Sequence, residues 1–139
     1  MVAAGSWLGW QELWAQGGDR ALQWRDLTGR TLGAPDRSQL RAFGDRNALA
    51  AALGASATVP PIDFGRRTAV LVAAGPRSSS AYAVAVVDVT EERRRVVVTI
   101  RERAPTLAEP GMARLAFPFR LITIARSGKP VELDWEGRP

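Results

Sequence analysis

Residues 66–103 constrain the fold more than any other part of the chain, because they hold three apolar runs rich in β-branched side chains. The runs predict strands near 68–74, 82–90 and 95–103. In the third run, Val96, Val98 and Ile100 occupy every second position, which is typical of a strand with one buried face. We therefore predict a long β-hairpin over 82–100 and a protein built outward from a sheet.

The flanking segments predict further strands and a helix. Strands are expected over 21–27, 38–43, 116–125 and 131–135. Asp45 is a suitable N-cap for a helix over 46–53, and Gly54 is a suitable residue to end it. Pro118 has no amide hydrogen to donate, so it predicts an edge position or a bulge near the start of its strand.

Together these elements predict an α+β fold that is mainly β. About seven strands joined by short links favour an antiparallel sheet forming a small sandwich or half-open barrel, with one or two short covering helices. The 139 residues are enough for a single domain over 1–139 with its own core. Within it we distinguish an amino-terminal tryptophan-bearing helix in 1–18 from a β-rich domain over 20–135.

The residue types that the chain lacks exclude several kinds of site. There is no cysteine and no histidine, so disulfides, thiolate metal sites, imidazole bases and Ser-His-Asp chemistry are excluded. No glycine-rich phosphate loop precedes Gly128-Lys129, and we find no carboxylate pair placed for acid–base work. We therefore expect a protein without catalytic residues, cofactor or metal, and an enzyme working through carboxylates is the last alternative.

Trp7, Trp10 and Trp14 are spaced i, i+3 and i+7, so they would lie on one face of a helix with Ser6 as its N-cap. One interpretation is a docking stripe for a membrane surface, a partner protein or a second copy of the chain, which would make a homodimer. We favour a helix packed on the protein's own sheet, because three tryptophans left in water would promote aggregation.

Basic residues outnumber acidic residues by 19 to 14, and every basic residue except Lys129 is an arginine. Guanidinium groups bind phosphate and carboxylate well, so a polyanionic partner has to be considered. The run Arg93, Arg94 and Arg95 follows two glutamates at the predicted hairpin tip. A charged tip is more often a solvated turn, so we expect no nucleic-acid partner and keep nucleic-acid binding through these arginines as an alternative.

The loop that precedes the predicted hairpin carries Arg77, three serines at 78–80 and Tyr82. Arg77, Ser79 and Tyr82 are candidate protein-binding residues, since backbone amides and hydroxyls beside an arginine suit a carboxylate or phosphate group. A plain connecting loop is the interpretation that we favour. No histidine is present to activate one of the serines as a nucleophile.

Two acidic features have a functional and a structural interpretation. Glu132, Asp134 and Glu136 fall on one face of the last strand and could bind a hard cation, although alternating acids are more often the solvated face of an edge strand. Asp63 lies between apolar neighbours, where we expect it to accept backbone hydrogen bonds as the loop enters the sheet. We favour the structural interpretation at both places.

The order of these features resembles the PrcB carboxy-terminal domain family over about residues 22–125. The resemblance rests on the Pro61-Ile62-Asp63-Phe64 entry, the strand that ends at Gly75, the polar loop ending in Tyr82, the valine-rich hairpin and the strand around Pro118-Phe119. Ser80-Ala81 stand where the family usually has paired glycines, so the loop of this chain is altered.

The resemblance implies a non-catalytic module that supports or stabilises a protease or cell-envelope complex, commonly in exported or lipid-anchored proteins. No apolar run approaches the roughly 20 residues of a membrane-spanning helix, so we expect no membrane span. We expect that the amino terminus is not a complete signal peptide, because it lacks a basic n-region, and the sequence could still be a mature or truncated form of a secreted protein. Our leading expectation is a non-enzymatic module that binds another protein through its loops, a free strand edge or the segment 1–18.

Overall fold

A computed structural model describes residues 19–105 and 114–136 of the chain. The helix expected around Trp7, Trp10 and Trp14 lies outside these residues. The strands are β1 Arg20–Ala21, β2 Arg25–Asp26, β3 Gln39–Phe43, β4 Arg67–Ala73, β5 Ala83–Glu91, β6 Val96–Arg103, β7 Phe119–Ala125 and β8 Val131–Glu136. The helix α1 is Arg46–Leu53, and a 3-10 helix covers Thr28–Arg30.

The strands form two sheets of four strands each. The first sheet has the order β1-β5-β6-β8 and the second has the order β2-β7-β4-β3. Neighbouring strands are antiparallel except for β6 and β8, which are parallel. The expected mainly β fold of packed sheets is therefore confirmed, as is the hairpin of β5 and β6, and among the described residues neither sheet closes into a barrel.

The parallel pair of β6 and β8 departs from the expected antiparallel arrangement. After β6 the chain crosses to the second sheet, where it forms β7, and it returns to the first sheet as β8. Because β7 reverses the chain direction between them, β8 can run alongside β6 in the same direction. Val131, Leu133 and Trp135 of β8 then pack towards the core, as the alternating sequence predicted.

The second sheet is buried on both faces, because alternate residues of β4 and β7 face two different cores. The core between the sheets contains, among others, Val70, Val72, Ile122 and Ile124 from the second sheet and Val84, Val89, Val98 and Ile100 from the first. The core on the other face contains Ala69, Leu71 and Leu121, which pack with Leu49 and Leu53 of α1. Burial on both faces explains why β4 and β7 are continuous apolar runs.

Helix α1 begins and ends where the sequence predicts. The Oδ1 atom of Asp45 accepts a hydrogen bond from the Ala48 amide at 2.9 Å, which satisfies one of the free amides at the start of the helix. At the other end the Gly54 amide donates to the Ala50 carbonyl at 3.1 Å. Leu49 and Leu53 are fully buried, so the helix covers the outer face of the second sheet.

The strand expected over 21–27 is instead two short strands that belong to different sheets. β1 pairs with the end of β5, and β2 pairs with Ile122 and Thr123 of β7. Leu22 and Trp24 lie between β1 and β2 and pack, half buried, against the core between the sheets. The chain crosses from one sheet to the other here, so a single continuous strand cannot form.

Pro118 does not mark an edge strand, because β7 lies between β2 and β4. The pairing of β7 with β4 begins at Phe119, opposite Ala73. Pro118 precedes this ladder, and its carbonyl accepts a hydrogen bond from the Ala74 amide at 3.1 Å. The proline is tolerated inside the sheet because the short strand β2 pairs with Ile122 and Thr123 of β7 and does not reach Pro118. The amide hydrogen that proline lacks is therefore not needed for pairing between strands.

Candidate functional site

The loop 75–82 between β4 and β5 starts at a glycine that the backbone requires. Gly75 is buried and has a φ angle of 83°, a left-handed conformation that side chains with a Cβ rarely adopt. A Cβ built there would lie 3.1 Å from the Ser38 amide nitrogen. The loop therefore leaves the second sheet along a defined path.

Arg77 fixes the middle of this loop to two other parts of the chain. Its backbone forms a two-way bridge with Ala116, with both hydrogen bonds at 2.8 Å. Its guanidinium group donates from Nε to Oε2 of Glu102 at 2.6 Å and from Nη2 to Oε1 at 3.0 Å. This hydrogen-bonded carboxylate raises the pKa of Arg77, and partial burial of the guanidinium opposes the rise. Glu102 thus uses two of the hydrogen-bond donors of Arg77, and the Pro76 carbonyl accepts from Nη1 at 3.0 Å.

Ser79 and Tyr82 form the end of the loop. The Oγ atom of Ser79 accepts a hydrogen bond from the Ala81 amide at 3.1 Å, and its carbonyl accepts one from the Tyr82 amide at 3.4 Å. Tyr82 is half buried and directly precedes β5. The structure thus places Arg77, Ser79 and Tyr82 in one short loop, and their role in binding a partner stays a prediction.

The edge of β5 next to this loop is a feature that the sequence analysis did not locate. β1 pairs with Thr90 and Glu91, and the Leu22 amide adds one hydrogen bond to the Val89 carbonyl at 2.8 Å. Within residues 19–105 and 114–136, residues 83–88 pair with no strand other than β6. The first half of β5 therefore has an open side in the described part of the chain.

The backbone groups that face this open side can be identified from the hydrogen bonds. The Val84 carbonyl accepts a hydrogen bond from Nε of Arg120 at 2.7 Å, so it points away from β6. In a strand the N–H and C=O of one residue point to the same side, and the direction alternates along the chain. Val84 and Val86 therefore direct their backbone groups towards the open side.

Val87 lies at an irregularity in this strand. The pairing with β6 shifts between Val86 and Asp88, which leaves Val87 as the extra residue of a β-bulge. Val87 is 39% exposed and is one of three exposed large apolar residues in the described part of the chain, together with Leu32 and Leu115. The residues before it, 83–86, carry no charge.

The longer edge strands, β3 and β8, carry charged side chains that discourage pairing with another chain. β8 is at the edge of its sheet, as expected, and exposes Glu132, Asp134 and Glu136. Glu132 forms an ion pair with Arg95, and Glu136 is 3.4 Å from Arg101. No group of three or more acidic side chains in the described residues is arranged to hold a metal ion.

The arginine run at the tip of the β5–β6 hairpin does not form one positive patch. Arg95 forms ion pairs with Glu92, at 2.7 Å, and with Glu132, and the hydrogen bonds with these two carboxylates raise the pKa of Arg95. Arg93 and Arg94 are exposed. They line an open hollow of about 430 Å³ together with Asp19 and Glu92, so acidic and basic groups are both present here.

Asp63 lies in the loop before β4. Its Oδ1 atom accepts a hydrogen bond from the Gly65 amide at 3.1 Å, and its carbonyl accepts hydrogen bonds from the Arg66 and Arg67 amides at 3.1 and 2.8 Å. These contacts agree with the expected structural role as the chain enters the sheet.

Comparison with known proteins finds a family similarity for part of the chain. Residues 68–125 match the sequence model of a protein family described as PrcB C-terminal. The match runs from β4 to the end of β7, and so includes the loop 75–82 and the open edge of β5. It confirms the resemblance over these residues, although not over 22–67. No curated protein and no solved structure matches the chain. In the described ranges, no helix is both long enough and apolar enough to span a membrane.

Proposed function

Because residues 68–125 match the sequence model of the PrcB C-terminal family, we propose that this chain is a non-enzymatic interaction module that binds an extended segment of another protein. The segment would add as a strand along the open side of β5. The observation that supports this proposal most directly is the uncharged strand edge at 83–87, which pairs on one side only within the described residues.

Strand addition would use the groups that this edge presents. The backbone N–H and C=O groups of Val84 and Val86 would pair with the incoming strand, and these main-chain hydrogen bonds provide affinity. Ala85 and Val87 are exposed beside them, so their side chains would contact the side chains of the partner and provide selectivity. Tyr82 would extend the contact surface into the loop.

Arg120 would control access to this edge. Its Nε atom donates a hydrogen bond to the Val84 carbonyl, and its Nη1 atom lies 3.4 Å from the carboxylate of Asp26 in β2. A charged side chain over a strand edge protects the free protein against unwanted pairing. The incoming strand would have to displace Arg120 from this carbonyl, so binding would favour a segment that supplies a well-placed amide.

The family resemblance favours a partner in a protease or cell-envelope complex. In such a complex a module without catalytic residues would hold or stabilise another subunit. The absence of cysteine and histidine from the sequence supports a binding role over the commonest kinds of hydrolytic catalysis. The tryptophan-bearing segment 1–18 remains a second candidate surface from the sequence.

The test begins with a photo-crosslinking amino acid at position 87. The purified full-length protein is incubated with an extract of its native cells, and the covalently attached protein is identified by mass spectrometry. The same amino acid at position 32 is the control, because Leu32 is 65% exposed and lies away from β5. We expect one defined partner to be attached from position 87 and not from position 32.

The purified partner then allows a quantitative test. Val87→Lys places a charge on the proposed edge, and we expect it to weaken binding by roughly tenfold or more, as charges on an edge strand oppose pairing. Leu32→Lys makes the same chemical change elsewhere and should leave the dissociation constant unchanged. Equal affinities for both variants and the original protein would contradict binding at this edge.

A further inference from the structure

Three arginines converge at one end of the outer face of the second sheet, beyond the area that α1 covers. Arg25, Arg30 and Arg67 line a pocket of about 130 Å³, together with Asp63, Thr123 and apolar residues of the neighbouring segments. No residue of β5 lines the pocket, and neither the family match nor the proposed function assigns it a role.

The strand register explains why the arginines meet. Arg25 of β2 is opposite Thr123 of β7, and Thr123 is also opposite Ala69 of β4. Arg67 is two residues before Ala69, so its side chain is on the same face of the sheet. Arg25 and Arg67 therefore flank Thr123 on the face that also carries the α1 core. Arg30 joins them from the end of the 3-10 helix.

Arg67 is held in position at the base of the pocket. Its Nη2 atom donates to the carbonyl of Thr123 at 2.7 Å and to Oγ1 of the same residue at 3.1 Å, and Nε is 3.3 Å from Oγ1. These contacts leave the Nη1 hydrogens free of any hydrogen bond within the described part of the chain. A guanidinium group fixed in this way can bind an anion without first losing side-chain freedom.

Positive charge in the pocket exceeds negative charge. Arg25 and Arg30 are exposed at its mouth and form no ion pair within residues 19–105 and 114–136. Asp63 is the acidic residue in the lining, and its carboxylate is engaged by the Gly65 amide and lies 3.9 Å from Arg66. Burial and, to a smaller extent, the nearby positive charge of Arg25 lower the pKa of Arg67.

We propose that this pocket binds a phosphate dianion, either as the free ion or as the phosphoryl group of a small ligand. Three guanidinium groups offer several donors to the oxygens of one anion, and such charge-assisted hydrogen bonds are among the strongest in proteins. Sites for drug-sized ligands have volumes of about 300–1,000 Å³, so a pocket of about 130 Å³ fits a single phosphate group. A dianion also balances the excess positive charge better than a carboxylate.

The test uses the full-length protein and inorganic phosphate as the probe. Binding is measured by isothermal titration calorimetry and by the rise of Tm, with ionic strength held constant by sodium chloride. Sodium acetate replaces phosphate in a second arm, and glycerol 3-phosphate in a third. We expect calorimetry to show phosphate binding and no acetate binding, and we expect phosphate to raise Tm because a ligand that binds the folded state stabilises it. Phosphate also strengthens apolar burial in general, and this part of the rise should be the same in every variant.

Two double variants show whether the effect belongs to the pocket. Arg25→Gln with Arg30→Gln should weaken phosphate binding by roughly tenfold or more, since each lost contact to a charged group has a substantial effect. Arg93→Gln with Arg94→Gln removes the same charge from the hairpin of the first sheet and should leave phosphate binding unchanged. Both variants keep Arg67, whose contacts with β7 support the fold.

Three results would overturn the proposal. They are a phosphate effect equal to that of chloride at the same ionic strength, acetate binding as tight as phosphate binding, and equal loss of binding in the two double variants. If binding is confirmed, the comparison with glycerol 3-phosphate identifies the source of the anion. Tighter binding of inorganic phosphate indicates the free ion, and equal or tighter binding of the ester indicates a phosphorylated ligand.

Discussion

The guanidinium group of Arg77 and the carboxylate of Glu102 form a two-point ion pair between the loop after β4 and the end of β6. The Glu102 side chain is 1% exposed and the Arg77 side chain is 24% exposed. Val84 is opposite Glu102 on β5, so this pair anchors the loop beside the beginning of the proposed binding edge. The pair therefore contributes to both the stability of the fold and the position of Tyr82.

Loss of Arg77 should destabilise the protein more than loss of an exposed arginine. Arg77→Ala leaves a buried carboxylate without its partner, and we expect the free energy of unfolding to fall by about 3 kcal/mol. Arg101→Ala is the control, because the pair of Arg101 with Glu136 is exposed and should contribute less than about 1 kcal/mol. Urea denaturation measures both changes, and equal losses would contradict the role given to Arg77.

Replacing both members of the pair should lower the free energy of unfolding less than replacing Arg77 alone. In Arg77→Met with Glu102→Leu no buried charge is left without a partner, so we expect most of the stability lost in Arg77→Ala to return. The same urea measurement applies. If the double variant is as unstable as Arg77→Ala, the loss comes from packing and not from the buried carboxylate.

Gly75→Ala should destabilise the protein, because the φ angle of Gly75 is 83° and the new Cβ would lie 3.1 Å from the Ser38 amide nitrogen. A residue forced into such a conformation costs on the order of 1–3 kcal/mol. Gly29→Ala is the matched control, since nothing lies within 4 Å of its Cβ position, and should change stability by less than about 0.5 kcal/mol. Thermal denaturation measures the change in stability of both variants, and equal changes would contradict the requirement for glycine at position 75.

Asp45→Ala removes the side chain that caps α1. We expect a loss of about 1 kcal/mol in the free energy of unfolding, which is the usual effect of removing an N-cap. Asp36→Ala, also an exposed aspartate before a regular element, should change stability by less than about 0.5 kcal/mol. An unchanged stability of Asp45→Ala would show that the packing of Leu49 and Leu53 alone fixes the start of the helix.

Arg120→Ala should make the edge of β5 more prone to pair with another chain. The variant frees the Val84 carbonyl, and an unprotected strand edge tends to pair with other chains. Sedimentation at increasing protein concentration should show a larger average mass than for the original protein. Arg126→Ala, just after the same strand, serves as the control with the same loss of charge. Identical masses for both variants would mean that Arg120 does not protect the edge.

Local patterns in the sequence were sufficient to predict much of this fold. Alternation at Val96, Val98 and Ile100 identified a strand, and Asp45 with Gly54 identified the ends of α1. Each of these features depends on residues that are close in the chain. The crossing of the segment 21–27 between sheets depends on distant strands, so its local pattern indicated only a strand.

The contacts that define the candidate sites join residues that are far apart in the sequence. Arg77 and Glu102 are brought together by the fold, and neither residue type indicates the other. The open side of β5 follows from the short length of β1, which no pattern within β5 itself contains. The pocket of Arg25, Arg30 and Arg67 depends on the register of three segments, so the sequence showed only scattered arginines.

Amide hydrogen exchange at Val84 and Val86 tests the proposed binding edge most directly. In the free protein we expect both amides to exchange faster than those of Ala83 and Ala85, which face β6. When the partner that crosslinking identifies is purified and bound, the amides of Val84 and Val86 should become strongly protected. The exchange rates of amides in the edge strands β3 and β8 should not change. Slow exchange in the free protein, or protection that appears only away from β5, would contradict strand addition at this edge.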